Sequence, residues 1–402
     1  MSAIAVQDDR RTKRNAIILA VAQALYGSAV TMLIVTAGLV GTQLSSDPSW
    51  ATLPVSAFVI GTALTTLPLS LLMRRIGRKA GFMLGSFSGM TGGLLGVYAI
   101  YQKTFAIFLL AAFLVGIYQA SASYYRFAAA DMASPAFRPK AISWVMTGGV
   151  VAALIGSALV MTTVNLLAPV IFAGSWAAMA AIALLSSAVL LALDIPPVVE
   201  DKNAVAARPL AQIASQPRYI VAAATGMLSY GVMMLVMTAT PVAMIACGFT
   251  VGDSSWVIQW HALAMFVPSF FTGHLITKFG TERIAATGMV LLIGAAVSGL
   301  LGINFGNFAM GLILLGLGWN FAFIGATTML TGCYEPSERN KAQGLNDLLI
   351  FATTALSSLS AGKLLHSFNW NAVNYAVFPM AAVALAMIAW LFTHQRAAAQ
   401  RS

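Results

Sequence analysis

Charged side chains are scarce. Asp, Glu, Lys and Arg make up 8% of the 402 residues, against 59% apolar ones. A soluble domain carries about 25% charged residues, because a wetted surface requires them. The shortage excludes a soluble enzyme, a nucleic-acid binder and a secreted scaffold, although the net charge of +10 alone would suit a polyanion. Cysteine is nearly absent: Cys247 and Cys333 are too few for a disulfide framework. No G-x-x-x-x-G-K-[ST] loop occurs, so ATP does not drive the chain directly. There is no Cys/His cluster at metal-ligand spacing and no recognisable Ser-His-Asp or paired-carboxylate motif. The expectation is therefore no cofactor, no metal and no enzymatic activity. The 34 glycines and 14 prolines do not signal disorder, since both are common in membrane helices.

What remains is apolar sequence in long runs. A bilayer core about 30 Å thick needs roughly 20 residues of helix. Twelve such runs stand between polar breaks: 15–43, 51–73, 80–101, 104–128, 141–166, 170–193, 219–246, 254–277, 281–303, 307–331, 342–362 and 372–393. They are apolar on every face and longer than buried strands, and the roughly 10-residue alternation of a spanning barrel is missing. An all-α integral membrane protein of twelve spans is expected. Lys and Arg set its orientation. They gather before span 1, after spans 2 and 8, in the 4–5, 6–7 and 10–11 connections and after span 12, while the opposite face receives Lys103 and Lys363. Both termini are expected in the cytoplasm, in a multi-pass protein of the cell inner membrane with no cleaved signal peptide.

The chain also repeats itself. Tyr26-Gly27 in span 1 returns as Tyr230-Gly231 in span 7, 204 residues on. Gly77 after span 2 returns as Gly280 after span 8. Pro135-x-x-Arg138-x-Lys140-Ala141 returns as Pro336-x-x-Arg339-x-Lys341-Ala342. The constant order and nearly constant offset predict two parallel six-helix bundles, 1–193 and 219–402, joined by a polar cytoplasmic linker, 194–218, with a short surface helix near 209–215. This pattern, with its basic glycine turns Ser70-Leu71-Leu72-Met73-Arg74-Arg75-Ile76-Gly77-Arg78-Lys79 and Gly273-His274-Leu275-Ile276-Thr277-Lys278-Phe279-Gly280-Thr281-Glu282, resembles the major facilitator superfamily. That family's signature, G-x-L-a-D-r-x-G-r-k, has an Asp where this chain has Arg74 and Thr277. The resemblance implies a secondary transporter whose two halves rock around a midplane site.

Polar residues inside the spans need a reason, since an ionisable group in lipid costs roughly 2.5–3.5 kcal/mol. Away from the loop edges, Arg126, His261, His274 and Asp347 are the ionisable candidates, with His274 close to a membrane interface. Arg74 in place of the family's Asp suggests a swapped gate, in which Asp347 at the start of span 11 supplies the anion and Arg74 or Arg126 the cation; the alternative is an Arg74 that merely reaches into water. Arg126, flanked by Tyr124-Tyr125 and Phe127 and followed by Asp131, reads as gate hardware, as does Asn346 beside Asp347. Proton coupling, if present, falls to Asp347 or His261. Tyr118-Gln119 in span 4 maps onto Trp319-Asn320 in span 10 at an offset of 201. The resemblance implies that spans 1, 4, 7 and 10 surround the cavity. Gln23, Tyr26, Tyr118, Gln119, Tyr230, Trp319 and Asn320 then become the expected lining, with His261 a further substrate ligand. Amides and rings suit a small, neutral, planar solute. The alternative use of such residues is interfacial anchoring and helix-to-helix bonding.

Span 5 lacks the proline of the family's antiporter signature, which leans towards uptake. The runs Tyr124–Asp131, Met237–Met244 and Gln259–Gly273 are similar to a bacterial branch that includes riboflavin importers. The expectation is uptake of a small organic solute, with riboflavin as the named substrate, by a monomer in contact with membrane lipid and no nucleic acid. A multidrug or metabolite exporter and a non-transporting sensor or scaffold stay open.

Overall fold

The computed structural model describes residues 9–131, 133, 138–195, 208–335 and 338–399. All regular structure among them is helical. A helix closes its backbone hydrogen bonds within one segment, which an apolar environment demands. Among the described residues eleven helices are long and apolar enough to cross a membrane, or twelve spans when the bent pair Val251–Phe266 and Ser269–Phe279 is counted as one. By its contacts the chain divides into one unit of Met1–Val40 and Ala57–Glu200 and another of Gly41–Ser56 and Asp201–Ser402.

The first unit contains most of α1 (Asp9–Leu44) and α2 (Leu53–Ile76), with α3 (Arg78–Tyr101), α4 (Phe105–Ala122), α5 (Tyr125–Asp131), α6 (Arg138–Thr163) and α7 (Ala173–Leu191). Helix α3 is its hub and packs on α4 and α7, along a buried row of small residues that lets backbones come close. Basic side chains finish the carbonyl end of α7, whose last C=O groups have no partner within the helix. Lys79 Nζ donates to Leu191 O at 2.6 Å and Arg14 Nη2 to Ala192 O at 2.9 Å. Asn15 pairs with the backbone of Asp194 in both directions, at 2.6 and 3.2 Å. The basic residues at this end thus meet the negative end of a helix dipole.

The second unit contains α8 (Leu210–Ala214), α9 (Pro217–Ala246), α10 (Val251–Phe266), α11 (Ser269–Phe279), α12 (Thr281–Leu301), α13 (Phe305–Thr331), α14 (Arg339–Ser367), α15 (Trp370–Tyr375) and α16 (Val377–Ala399). Helix α9 is central and meets α13, α14 and α16. The segment Gly41–Ser56 also packs here: Ser56 Oγ donates to Ser358 Oγ at 3.0 Å, and Lys363 lies over the Trp50 ring at 4.8 Å. At the basic end, Arg208 grips Glu338 with Nε and Nη2, both at 2.6 Å. The backbone N–H groups of Arg208 and Glu335 donate to the same carboxylate, at 3.0 and 2.9 Å. These bonds, the Arg208 fork first, hold the Glu338 carboxyl down to about 2. Gln216 Nε2 adds a bond to Cys333 O at 2.9 Å.

Three features depart from the expected spans. Span 4 is divided, α4 ending before Ser123 and α5 starting at Tyr125. Span 8 breaks at Val267–Pro268 and bends by 43°, because proline has no N–H for the helix ladder. Span 12 is preceded by the separate turn α15. The expected short helix of the linker is α8.

Candidate functional site

Each unit builds a ring pair from positions that repeat in the sequence. In the first, Tyr26 of α1 meets Tyr118 of α4 edge-on, centroids 5.2 Å apart and planes at 77°. In the second, Tyr230 of α9 meets Trp319 of α13 edge-on, at 5.3 Å and 83°. The edge of one ring against the face of the other is the arrangement that ring quadrupoles favour. The Tyr118 ring fits because position 89 of α3 is glycine: a Cβ there would lie 2.4 Å from Tyr118 Cδ1. Tyr26 and Tyr118 are buried, Gln23 and Gln119 half-buried.

The second unit adds a ring that sequence reading missed. Phe323 lies one turn beyond Trp319 on α13 and stacks on it, at 4.9 Å and 11°. Tyr230 also meets Phe323 edge-on, at 5.4 Å. Tyr230 and Phe323 are half-buried and Trp319 is 8% exposed. The i, i+4 spacing was visible in the sequence, but a phenylalanine in an apolar span gives no polar signal to set it apart.

His261 of α10 is buried against α13, and its Nδ1 lies 2.9 Å from Leu312 O. A carbonyl only accepts, so Nδ1 carries the proton and a neutral ring keeps Nε2 as an acceptor. The close approach of α10 to α13 depends on Gly316, where a Cβ would fall 2.5 Å from His261 O. Asn320 is fully buried. Its Nδ2 donates to Met265 O at 2.6 Å and to Ser269 Oγ at 2.7 Å, and its Oδ1 accepts from Thr272 Oγ1 at 2.7 Å. The amide is therefore bonded on both sides of the break between α10 and α11.

The expected gate residues are placed as follows. Arg126 is exposed, with its guanidinium 4.8 Å from the Phe127 ring centre, within cation–π range. Tyr124 of the same cluster donates to Thr66 O at 3.1 Å. Asp347 is exposed on α14, and the buried amide of its neighbour Asn346 donates to Asp347 Oδ1 at 3.3 Å. Arg74 and Asp131 lie at helix ends, and their side chains fall outside the described residues. His274 is exposed on α11. Among the described residues, no Lys, Arg, Asp or Glu side chain is buried within a span; the buried carboxylate, Glu338, precedes α14. No group of His, Cys, Asp and Glu suited to a metal ion occurs among those residues either.

Eleven to twelve apolar spans among the described residues, a doubled sequence and ring-bearing helices that, among those residues, bury no charge define a multi-pass membrane transporter that moves a small molecule. The chain belongs to the Major Facilitator Superfamily, whose model matches residues 19–241 and 222–402. It is 47% identical over 380 residues to the riboflavin transporter RfnT of Brucella anthropi, covering 94% of this chain and 96% of that one. It is 26% identical to the uncharacterized MFS-type transporter YdeG of Bacillus subtilis, over 94% and 92% of the two chains. Among solved structures, a point mutant of the nucleoside transporter NupG has a TM-score of 0.72 at 16% identity, covering 94% of this chain and 99% of that one. The transporter FucP in its outward conformation has a TM-score of 0.61 at 15% identity, over 93% and 98%. These two show the fold alone.

Proposed function

We propose that this transporter imports riboflavin across the cytoplasmic membrane. The observation that carries the reading is the ring cluster Tyr230, Trp319 and Phe323, set among helices that bury no charge among the described residues. A flavin offers a broad, planar, uncharged π surface, and stacking on aromatic side chains suits it. The 47% identity to a riboflavin transporter over nearly the whole chain supports the same substrate. His261 Nε2 accepts from the imide-like N–H of the solute. The basic ends of both units support cytoplasmic termini in an inner membrane. Asp347, exposed at the start of span 11, is the coupling carboxylate if protons drive accumulation.

Proteoliposomes with inward flux of labelled riboflavin test this. Saturable uptake that unlabelled riboflavin competes away supports the reading. Flux no greater than in protein-free vesicles, in either direction, contradicts it.

A further inference from the structure

The break in span 8 is bonded on both sides by the residue that follows Trp319 on α13. Helix α10 ends at Phe266, α11 begins at Ser269, and the pair is bent by 43°. Pro268 has no N–H to offer Ala264, so the ladder is interrupted in the middle of a span. In an apolar surround an unpaired carbonyl is costly, and neighbouring side chains must complete the bonding. Asn320 supplies one bond at the break from another helix, to the neighbouring carbonyl of Met265 rather than to Ala264 O. It bonds Met265 O before the break, and Ser269 Oγ and Thr272 Oγ1 after it. One amide therefore fixes both arms of the bend.

Thr272 adds a second element. Its hydroxyl lies 2.8 Å from Pro268 O and 2.7 Å from Asn320 Oδ1. The hydroxyl has a single proton for these two acceptors. The arm of α11 can thus bond to its own helix or to α13. The residue before Asn320 is Trp319, stacked on Phe323 and edge-on to Tyr230. The ring site and the brace are thus carried by adjacent residues of α13.

We propose that Asn320 is a positioning residue for the transport step: it holds the α10–α11 bend, and through Thr272 it passes the occupancy of the Trp319 ring site to that bend. Asn320 touches no solute in this account. The inference takes its ligand from the riboflavin reading, but the bend itself does not depend on it.

The test uses full-length Asn320→Ala, Thr272→Val and Thr272→Ser transporters. Two quantities are measured: riboflavin affinity by flavin fluorescence, and maximal uptake rate in proteoliposomes. Asn320→Ala and Thr272→Val lower the maximal rate about tenfold or more and shift affinity less than about threefold, whereas Thr272→Ser returns the rate to within about twofold of the parent. A parallel loss of affinity and rate would make Asn320 a direct ligand and overturn the proposal, as would an unchanged rate. Should Asn320→Ala fail to fold, the two Thr272 variants decide the matter. Hydrogen exchange over residues 264–272 without ligand separates this inference from the substrate reading. Exchange about tenfold faster in Thr272→Val supports the brace even if riboflavin does not bind the parent. Unchanged protection there overturns it whatever the substrate.

Discussion

Trp319 lies flat on Phe323, with ring centres 4.9 Å apart and planes 11° from parallel. Two residues one helical turn apart therefore form a single extended π surface on α13, and Tyr230 of α9 caps both. The first repeat has the Tyr26–Tyr118 counterpart of the edge-on pair, but the stacked partner belongs to the second.

Ring removal tests that surface. An aromatic contact contributes about 0.5–1.5 kcal/mol beyond the area it buries. Trp319→Ala loses two such contacts within the cluster and the solute's as well, so uptake efficiency falls about 10–100-fold. Phe323→Ala falls by about tenfold, and Trp319→Phe by less. Uptake normalised to membrane protein content measures this; equal uptake in Trp319→Ala and parent refutes it.

Gly89 supports the ring of the first repeat by its lack of a side chain. A Cβ at that position would lie 2.4 Å from Tyr118 Cδ1. Gly89→Leu should destabilise the protein by about 1–3 kcal/mol through overpacking. Adding Tyr118→Ala should recover much of the thermal stability but not uptake, because the ring itself is then missing. Thermal unfolding in detergent beside uptake separates the two effects.

The Arg208–Glu338 clamp has a defined pH window. Its carboxyl is held below the ordinary value of 4.5, at about 2. A depressed carboxyl contributes stability above its unfolded pKa and loses it as pH falls through the folded one. The gap in unfolding temperature between parent and Glu338→Gln should be full near neutrality and shrink from pH 4.5 down to about 2. A gap that grows on acidification contradicts the assignment.

Asp347 is exposed, as a carboxylate that exchanges protons with water must be in one state. Asp347→Asn should abolish accumulation of riboflavin under an imposed pH gradient while leaving equilibrium exchange within about threefold of the parent. Intact accumulation in the variant removes Asp347 from the coupling path.

Much of this was legible in the sequence, for physical reasons. Long apolar runs report spans directly, since few other structures tolerate them. Tyr26, Tyr118, Tyr230 and Trp319 stood out because a polar-edged ring inside a span must be accounted for, and their offsets matched. Phe323 did not, being indistinguishable from any lipid-facing phenylalanine. Asn320 was picked out, but its bonds run to Met265, Ser269 and Thr272, about fifty residues earlier in the chain. A proline inside a span can kink it, but only the fold shows that span 8 breaks at Pro268 and what bonds the break. Glu338 meets Arg208 from 130 residues away, which no local pattern encodes. Phe266–Ser269 shows the same limit from the other side: propensity favours one continuous span, and the missing N–H wins.

The most direct measurement is a titration of riboflavin fluorescence with the purified transporter. A flavin stacked on Trp319 and Phe323 is quenched, so the account predicts saturable quenching by the parent and its loss in the Trp319→Ala, Phe323→Ala double variant. Equal quenching by the double variant and the parent, or none by either, would contradict it.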